Sequence, residues 1–469
     1  MNNLFEIKKY EIPFYRFKKF GNKYLVTTDS GAWIFLTEDE FYLFYNHSLS
    51  SELYRKLEEK NIIITPENRK NIVMKYLNFY WPRYLGASLL IVVPTLRCNF
   101  TCKYCYSYRK NENEMGYDMT LEVACKILDL IFQTPAPHIV LEFTGGEPLL
   151  NFEIIKYMIE ECEKIKKYHN KSVSYAIVTN GYYLDEEKFN FLSKYGCGIC
   201  ISFDGPKELH DFHRKITNNP KQSSYDLVVE KIKWLFKEKY PFVFAIPVIT
   251  KKSFAYWKEI IDEYVKLGIL TYRFKFMSFF GFASNYKIWT ELGATPEEFV
   301  EFWKKSVDYL IELNKKGIKA KENIAGYILA KLFRTRPAGF AELEIPCGAT
   351  IGQLLFNYEG SIYPCDEARI FPNFRIGSVF THKYEDLILH PTTTSLINAS
   401  SMVESCYSCV YYPYCGSCPV EDYNRYKTMI VNIPSSYRCR VYKGMFDYIF
   451  QKLSEDEEVM KIFQNWVGV

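Results

Sequence analysis

No stretch of this 469-residue chain approaches the run of about 18 apolar residues that a membrane-crossing helix needs. The first residues, MNNLFEIKKYEIPFYRF, hold no long apolar run followed by a small-residue cleavage site, so no secretion signal is expected. Neither sign of charge dominates. Against 59 Lys and Arg stand 55 Asp and Glu, a net +4, too small an excess to draw nucleic acid or an anionic membrane. Internal repeats and low-complexity linkers are missing too. The expectation is a cytoplasmic chain with no nucleic-acid or membrane partner, long enough for two or three domains with hydrophobic cores. Its 48% hydrophobic and 24% charged residues are ordinary for a globular protein. Its 39 Tyr and 36 Phe come without a basic–aromatic ladder and read as packing.

Cysteine is plentiful and unevenly placed. A reducing cytoplasm does not support a disulfide framework built from 14 cysteines. Three lie within 98–105, seven fall after position 346, and only Cys125, Cys162, Cys197 and Cys200 lie between. Clustered thiols in a cytosolic chain point to metal.

Residues 1–85 read as a small α+β module. FYRFKKF, KYLVTT and AWIFLT are strand-like, the last two joined through Asp29, Ser30 and Gly31. TEDEFYLFYN and SSELYRKLEEKN follow as helices, with Thr37 and Ser50 or Ser51 as N-caps. Over 86–285 the strand-like runs LLIVVPT, HIVLEF, VSYAIVT, GICISFD, FVFAIPVIT and YRFKFM alternate with helical ones such as TLEVACKILDLIF and DLVVEKIKWLFKEKY. Such alternation implies a parallel sheet covered by helices. Six units are too few to close an eight-stranded barrel. The expected fold is therefore α/β, a partial (β/α)6 TIM-like barrel with its active site at the carboxyl ends of the strands. A helix-rich bridge over 286–340 ends at the breaker RTRPAG. Residues 341–469 open with the hairpin IGQLLFNYEGSIYPC, turning at Glu359 and Gly360, and continue as a loop-rich, cysteine-rich tail.

Directly after the first barrel strand, TLRCNFTCKYCYS places Cys98, Cys102 and Cys105 in CxxxCxxC spacing. Three thiolates on a short loop can hold three irons of a 4Fe–4S cluster, and the missing fourth thiolate leaves one iron open to a ligand. The same spacing could be one face of a buried helix. Against that stand its position at a strand end and the polar Asn99, Thr101 and Lys103 within it. The motif resembles that of the radical S-adenosylmethionine (SAM) superfamily. The resemblance implies that the open iron chelates the amino and carboxylate groups of SAM and that Tyr104 packs near the adenine.

The later loops carry the same resemblance. After the second strand stands FTGGEPLLN, with Gly145, Gly146, Glu147 and Pro148. Two glycines allow close backbone approach and a carboxylate suits an ammonium, although such a tetrapeptide alone could be a plain turn. In the family this segment binds the methionyl amino group. VTNGY puts Asn180 at the third strand end. CISFDGPKELHDFHR resembles the peptide-modifying branch, which implies that Ser202 and Arg214, twelve residues apart, hold the cofactor's ribose and carboxylate. His210 and His213 read as loop residues near the cofactor, since their spacing lacks the further ligands of a metal pair.

In the tail, Cys347 and Cys365 flank Gly360 in CX12GX4C spacing, followed by Cys406, Cys409, Cys415, Cys418 and Cys439. Paired CxxC units also make zinc sites, but CxxCxxxxxCxxC with a distant further thiol allows two metal centres. This part resembles the SPASM domain, the auxiliary-cluster extension of radical SAM enzymes. The resemblance implies one auxiliary 4Fe–4S cluster on Cys406, Cys409, Cys415 and Cys439. A third 4Fe–4S cluster, nearer the active site, would lie on Cys347, Cys365 and Cys418. The family run ends CxxxC where this chain has CGSC. No fourth cysteine is evident for the inner cluster, so another side chain completes it or one iron is open. Cys125, Cys162, Cys197 and Cys200 read as buried structural residues.

The N-terminal module resembles the winged-helix element that binds leader segments of ribosomally made peptides, where a strand edge pairs with an extended peptide; a plain capping domain is the alternative. PHIVLEFTGGEPLLNFEIIKY, LLFNYEGSIYPCDEAR and YYPYCGSCPVEDY look most like the maturases of the His-Xaa-Ser peptide system. Those often replace the inner-cluster cysteines, which are all present here, and thioether-forming SPASM enzymes are equally compatible. The resemblance implies an oxidoreductase that cleaves SAM to a 5′-deoxyadenosyl radical. It would modify a ribosomally made precursor peptide by a thioether or other side-chain crosslink, with flavodoxin or ferredoxin as electron donor. The alternatives are an anaerobic sulfatase-maturing (formylglycine-generating) enzyme, a SPASM dehydrogenase of a small molecule, and a zinc-bound scaffold. No general base is singled out.

Overall fold

The computed structural model describes residues 9–334, 339–401 and 403–469. The first eight residues and positions 335–338 of the RTRPAG segment lie outside the described residues. Three antiparallel strands, β1 (Tyr15–Phe20), β2 (Lys23–Thr28) and β3 (Trp33–Thr37), open the chain in that spatial order. The helix Glu38–Tyr45 starts with a capping box in which Thr37 and Glu40 satisfy each other's backbone N–H groups. Ser50 caps the helix Ser51–Glu59. A third helix, Arg69–Tyr80, follows; its sequence has little amphipathic pattern, and the helical reading above stopped before it.

The alternation of apolar and polar residues splits β2 between two cores. Val26 packs with Ile34, Leu36, Phe44, Leu53 and Leu57 inside the module, whereas Leu25 belongs to the main core. The outer face of the small sheet docks on the helix Tyr437–Glu455, where Phe450 meets the rings of Phe20, Trp33 and Phe35.

The central sheet contains β4 (Leu89–Thr95), β5 (His138–Gly145), β6 (Ser172–Thr179), β7 (Gly198–Ser202), β8 (Val243–Ile246) and β9 (Thr271–Tyr272). These are the six repeats anticipated above, side by side and parallel. The fifth and sixth are broken into short pieces, resuming at Val248–Ile249 and Lys275–Phe276 as a separate two-stranded pairing. Pro247 interrupts the fifth because it has no N–H for the ladder. Helices such as Leu121–Ile131, Phe152–His169 and Ser224–Lys237 connect the strands, started by N-caps at Thr120 and Ser223 for the first and last of these.

Two further parallel strands flank these six. β10 (Lys321–Glu322) pairs with β9, so the bridge expected over 286–340 contains a seventh strand–helix unit, continued by the helix Asn323–Arg334. A Lys–Glu dipeptide offers no apolar run to betray a strand. β11 (Gln353–Phe356) pairs parallel with β4, and β12 (Ser361–Tyr363) and β13 (Gly377–Ser378) extend that edge antiparallel. The tail hairpin is thus part of the barrel sheet. The sheet order β10-β9-β8-β7-β6-β5-β4-β11-β12-β13 is open, an α/β partial barrel with an N-terminal α+β module and a cysteine-rich C-terminal part.

β4 is buried on both faces. Leu90 and Val92 enter the main core with Ile127 and Ile155; Ile91 and Val93 enter a second core with Leu355, Cys347, Cys365 and Cys418. Each such side chain contributes roughly 1.5–3 kcal/mol of burial. Among the described residues no helix is long and apolar enough to cross a membrane.

The helix Pro296–Lys315 begins with a capping box between Thr295 and Glu298. It carries Trp303 fully buried, with Nε1–H donating to Glu322 Oε2 at 3.1 Å and the ring 5.6 Å from Tyr448. Replacing Trp303 by Ala should lower stability by about 3–5 kcal/mol, read as a drop in the urea midpoint at unchanged slope. A smaller loss for Trp303→Ala than for Trp303→Phe would overturn this account of the contact.

Candidate active site

β4 ends at Thr95 and the chain enters the cysteine loop, which is pinned from two sides. Leu96 exchanges backbone bonds with Tyr117 and Lys110. Thr101 N donates to Lys215 O at 2.7 Å, Lys103 N to His213 O at 3.1 Å, and Thr217 N to Asn99 O at 2.7 Å. The loop is therefore laced to the segment that follows the helix Lys207–His213, which brings Arg214 beside it.

Cys98, Cys102 and Cys105 line a cavity of about 240 Å³ together with Tyr104, Gly145, Gly146, Glu147, Asn180, Ser202 and Arg214. Pro148 does not line it; it opens the short 3-10 helix Pro148–Asn151. The two glycines have a structural cause. Gly145 has φ +119°, and a Cβ on Gly146 would stand 2.2 Å from Arg97 O. Gly146 N donates to Thr95 O and Glu147 N to Arg97 O, so the glycines let this segment press against the root of the cysteine loop.

Glu147 is spoken for by the protein. Its Oε1 accepts from Thr179 Oγ1 at 2.7 Å and Leu149 N at 3.1 Å, and its Oε2 from Asn180 N at 2.8 Å. Burial pushes its carboxyl up to about 7 despite these bonds. Asn180 in turn donates to Asn99 Oδ1 at 2.8 Å. The carboxylate that suits an ammonium in the sequence thus acts here as a clamp between two strand ends.

Asp204, which the motif reading passed over, organises the opposite wall. Arg214 Nε and Nη2 donate to its Oδ2 and Oδ1 at 3.0 and 3.2 Å, and Tyr104 Oη donates to Oδ2. Burial alone would raise this carboxyl, but Arg214 foremost, and then His213, hold it far below the carboxylate range. Its place just beyond β7 is the signal that was available, since acids at barrel strand ends face the site. His210 and His213 lie on a helix rather than in a loop. His210 Nδ1 accepts from Asp204 N at 3.2 Å, and His213 Nε2 pairs with Thr250 Oγ1 at 3.0 Å. Burial pushes His210 down to about 3, so it stays neutral and supports Asp204.

Two more carboxyl groups face the cavity. Burial first, and Asp366 second, push Glu142 up to about 7, and Asp366 accepts from Tyr106 Oη. Arg109, Arg273 and Lys275 add positive charge to the wall, and Arg109 Nε, Arg273 Nε and Ser278 Oγ are buried there without a protein partner. Orphaned polar atoms in a cationic cavity call for a polar, anionic ligand group. Three soft thiols beside them suit a thiophilic metal, the irons of an iron–sulfur cluster among them. Without metal, burial pushes Cys98 well up and Cys102 to about 12, whereas a bound iron would hold them as thiolates. The residues present therefore fit a cluster carrying SAM.

The tail reaches this cavity directly. Arg369 Nη2 donates to Ser107 O at 3.1 Å and to Ser107 Oγ at 2.7 Å, four residues beyond Cys365. Cys347, Cys365 and Cys418 share one buried cluster. Cys406, Cys409, Cys415 and Cys439 line a separate cavity of about 290 Å³, and Cys418 lines it as well. Of the remaining cysteines, Cys125 pairs with Tyr157 Oη at 3.0 Å, Cys162 and Cys197 are fully buried, and Cys200 lies in β7.

Residues 92–264 match the Radical SAM superfamily. The chain is 28% identical over 382 residues to the cysteine-type anaerobic sulfatase-maturating enzyme of Clostridium perfringens (strain 13 / Type A), covering 78% of this chain and 97% of that relative. It is 25% identical over 350 residues to the radical SAM cyclopropyl synthase TigE of Paramaledivibacter caminithermalis, 69% of this chain and 63% of TigE. Among solved structures, native anSMEcpe with bound AdoMet superposes with TM-score 0.65 at 19% identity over 80% of this chain and 99% of that one. Streptococcus suis SuiB bound to precursor peptide SuiA gives 0.54 at 14% over 88% and 96%. The match to the radical SAM model lies within residues 92–264, and the chain shares the fold of these structures.

Asp204→Asn leaves Arg214 buried against a neutral partner and should cost about 3–5 kcal/mol. The folded carboxyl is depressed, so its contribution is fully present above the unfolded pKa. The gap between wild type and variant in urea should be constant from about pH 7 to 5 and narrow only below about pH 4. A gap that widens on acidification would contradict the pairing.

Proposed function

With a radical SAM domain as the premise, we propose that this protein is a radical SAM enzyme that matures a ribosomally made precursor peptide by a thioether or other side-chain crosslink. The observation that carries the reading is that the tail segment bearing Cys365 is tied to the wall of the thiol-lined cavity. The thiol loop lines it, and the segment bearing Cys365 is bonded to that loop through Tyr106, Asp366, Ser107 and Arg369. A single radical site needs no cysteine-bearing segment fastened to its loop; a reaction that sends an electron onward or holds a substrate sulfur does.

In this reading Cys98, Cys102 and Cys105 hold the SAM-binding 4Fe–4S cluster. Gly145, Gly146, Glu147, Asn180, Ser202 and Arg214 hold SAM, with Tyr104 at the adenine. Cys406, Cys409, Cys415 and Cys439 hold an outer auxiliary cluster, and Cys347, Cys365 and Cys418 an inner one. When bound, cluster and SAM supply a 5′-deoxyadenosyl radical that takes a hydrogen atom from a substrate carbon. The chain's own part is placement. Asp204 fixes Arg214 and Tyr104, Glu147 fixes the two strand ends, and the buried walls keep water out. With Glu147 clamped, Glu142 and Asp366 are the carboxyl groups left facing the cavity to accept a proton from substrate.

A peptide substrate is supported by the resemblance to His-Xaa-Ser maturases and by the SuiB–SuiA complex among structures of the same fold. On the N-terminal module, the helix Arg69–Tyr80 exposes Val73, Tyr76 and Leu77, which line a groove of about 240 Å³ with Pro13 and Phe14. The leader segment is the occupant this reading assigns, and the electron comes from a flavodoxin or ferredoxin. A second reading, sulfatase maturation, is favoured by the 28% identity that spans 97% of the Clostridium perfringens enzyme.

Anaerobic co-expression with the short peptide encoded beside this gene should yield a product lighter by two hydrogens. The change should disappear, together with 5′-deoxyadenosine, when Cys98, Cys102 and Cys105 are replaced by Ala. No 5′-deoxyadenosine from cluster-loaded enzyme under reducing conditions would sink the proposal. An unchanged precursor together with a formylglycine in a sulfatase-derived peptide would select the second reading. Val73→Glu with Tyr76→Glu should weaken precursor binding at least roughly tenfold while leaving the far-ultraviolet circular dichroism unchanged. Equal affinity would remove the leader from that groove.

A further inference from the structure

The inner auxiliary site has three cysteines and no fourth. Cys347 lies just ahead of β11, Cys365 follows β12, and Cys418 caps the helix Pro419–Tyr426; all three are nearly inaccessible to solvent. Into this group the short helix Glu367–Ile370, two residues past Cys365, delivers one carboxylate. Glu367 Oε2 is 3.4 Å from Cys418 Sγ.

The salt-bridge role that would otherwise explain Glu367 is poorly made. Arg438 gives its short bonds elsewhere, Nε to Glu421 Oε2 at 2.7 Å and Nη1 to Glu342 Oε2 at 2.6 Å. Glu367 receives only Nη2, shared between its two oxygens at 3.4 Å each. Arg438 thus faces three carboxylates, of which Glu421 also accepts from Arg425 Nε at 3.1 Å. A carboxylate this weakly compensated costs free energy unless a cation completes its environment. The cysteines around it are where a cation would be.

We propose that Glu367 is the fourth protein ligand of the inner auxiliary cluster, its carboxylate oxygen binding the iron that Cys347, Cys365 and Cys418 leave open. The assignment rests on the reading that these three cysteines carry a cluster. No electron moves on ligation; an ionised carboxylate replaces whatever else would fill the corner, and Arg438 retains Glu421 and Glu342.

The test uses the full chain with Cys98, Cys102 and Cys105 replaced by Ala, so that only auxiliary clusters form, reconstituted anaerobically with iron and sulfide. Mössbauer spectroscopy should resolve one iron site with the higher isomer shift of oxygen ligation. Glu367→Cys should retain the cluster and turn that site thiolate-like. In Glu367→Ala, mild ferricyanide oxidation should release about one iron per chain and give a three-iron electron paramagnetic resonance signal, which the parent and Glu367→Cys resist. The proposal is overturned if the parent shows thiolate-type sites only, or if Glu367→Ala keeps all its iron with an unchanged spectrum. If Cys347→Ala does not change the iron content, the cysteines hold no inner cluster, and the underlying reading fails along with the ligand assignment.

Discussion

The site depends first on β4 being buried on both faces. Because side chains of a strand alternate, Leu90 and Val92 anchor it to the helices while Ile91 and Val93 anchor it to the core of Cys347, Cys365 and Cys418. A one-residue slip would exchange the two faces. It would also move the cysteine loop, which begins at the end of the same strand, relative to everything that contacts it. The parallel partner β11 then leads through β12 to Cys365 within a few residues. One strand therefore fixes both the Cys98–Cys105 loop and Cys365, and hydrophobic burial supplies the accuracy.

Around that axis the structure assigns buried acids opposite fates. Asp204 faces Arg214 and is held ionised, so it keeps a cationic side chain in place. Glu147 accepts three protein bonds yet remains above its ordinary range through burial, and Glu142 does so with a negative neighbour as well. The difference lies in the partner: a full positive charge a hydrogen bond away outweighs desolvation, whereas amide and hydroxyl donors only offset part of it.

Much of the candidate site was legible because closely spaced cysteines have few other uses and because loops at strand ends carry barrel chemistry. Asp204 and Glu367 were not legible. Each is an ordinary acid in a sequence with 55 of them, and its importance arises from neighbours 10 and 71 residues away, Arg214 and Arg438. The seventh strand, Lys321–Glu322, was hidden for a related reason. It earns its place by pairing with β9, and its Glu322 is satisfied by Trp303, Ala325 and Phe274 rather than by water.

The sequence by itself determined the strand–helix alternation, the N-caps, the three sets of cysteines and the glycine pair, since each follows from local geometry or from residue chemistry at short spacing. Only the tertiary structure decided that the tail hairpin joins the barrel sheet, that the glycines serve backbone packing at the cysteine loop, that Glu147 is a clamp, and which carboxylates meet which guanidinium groups. Those outcomes depend on contacts between segments far apart in the chain, and periodicity carries no information about such contacts.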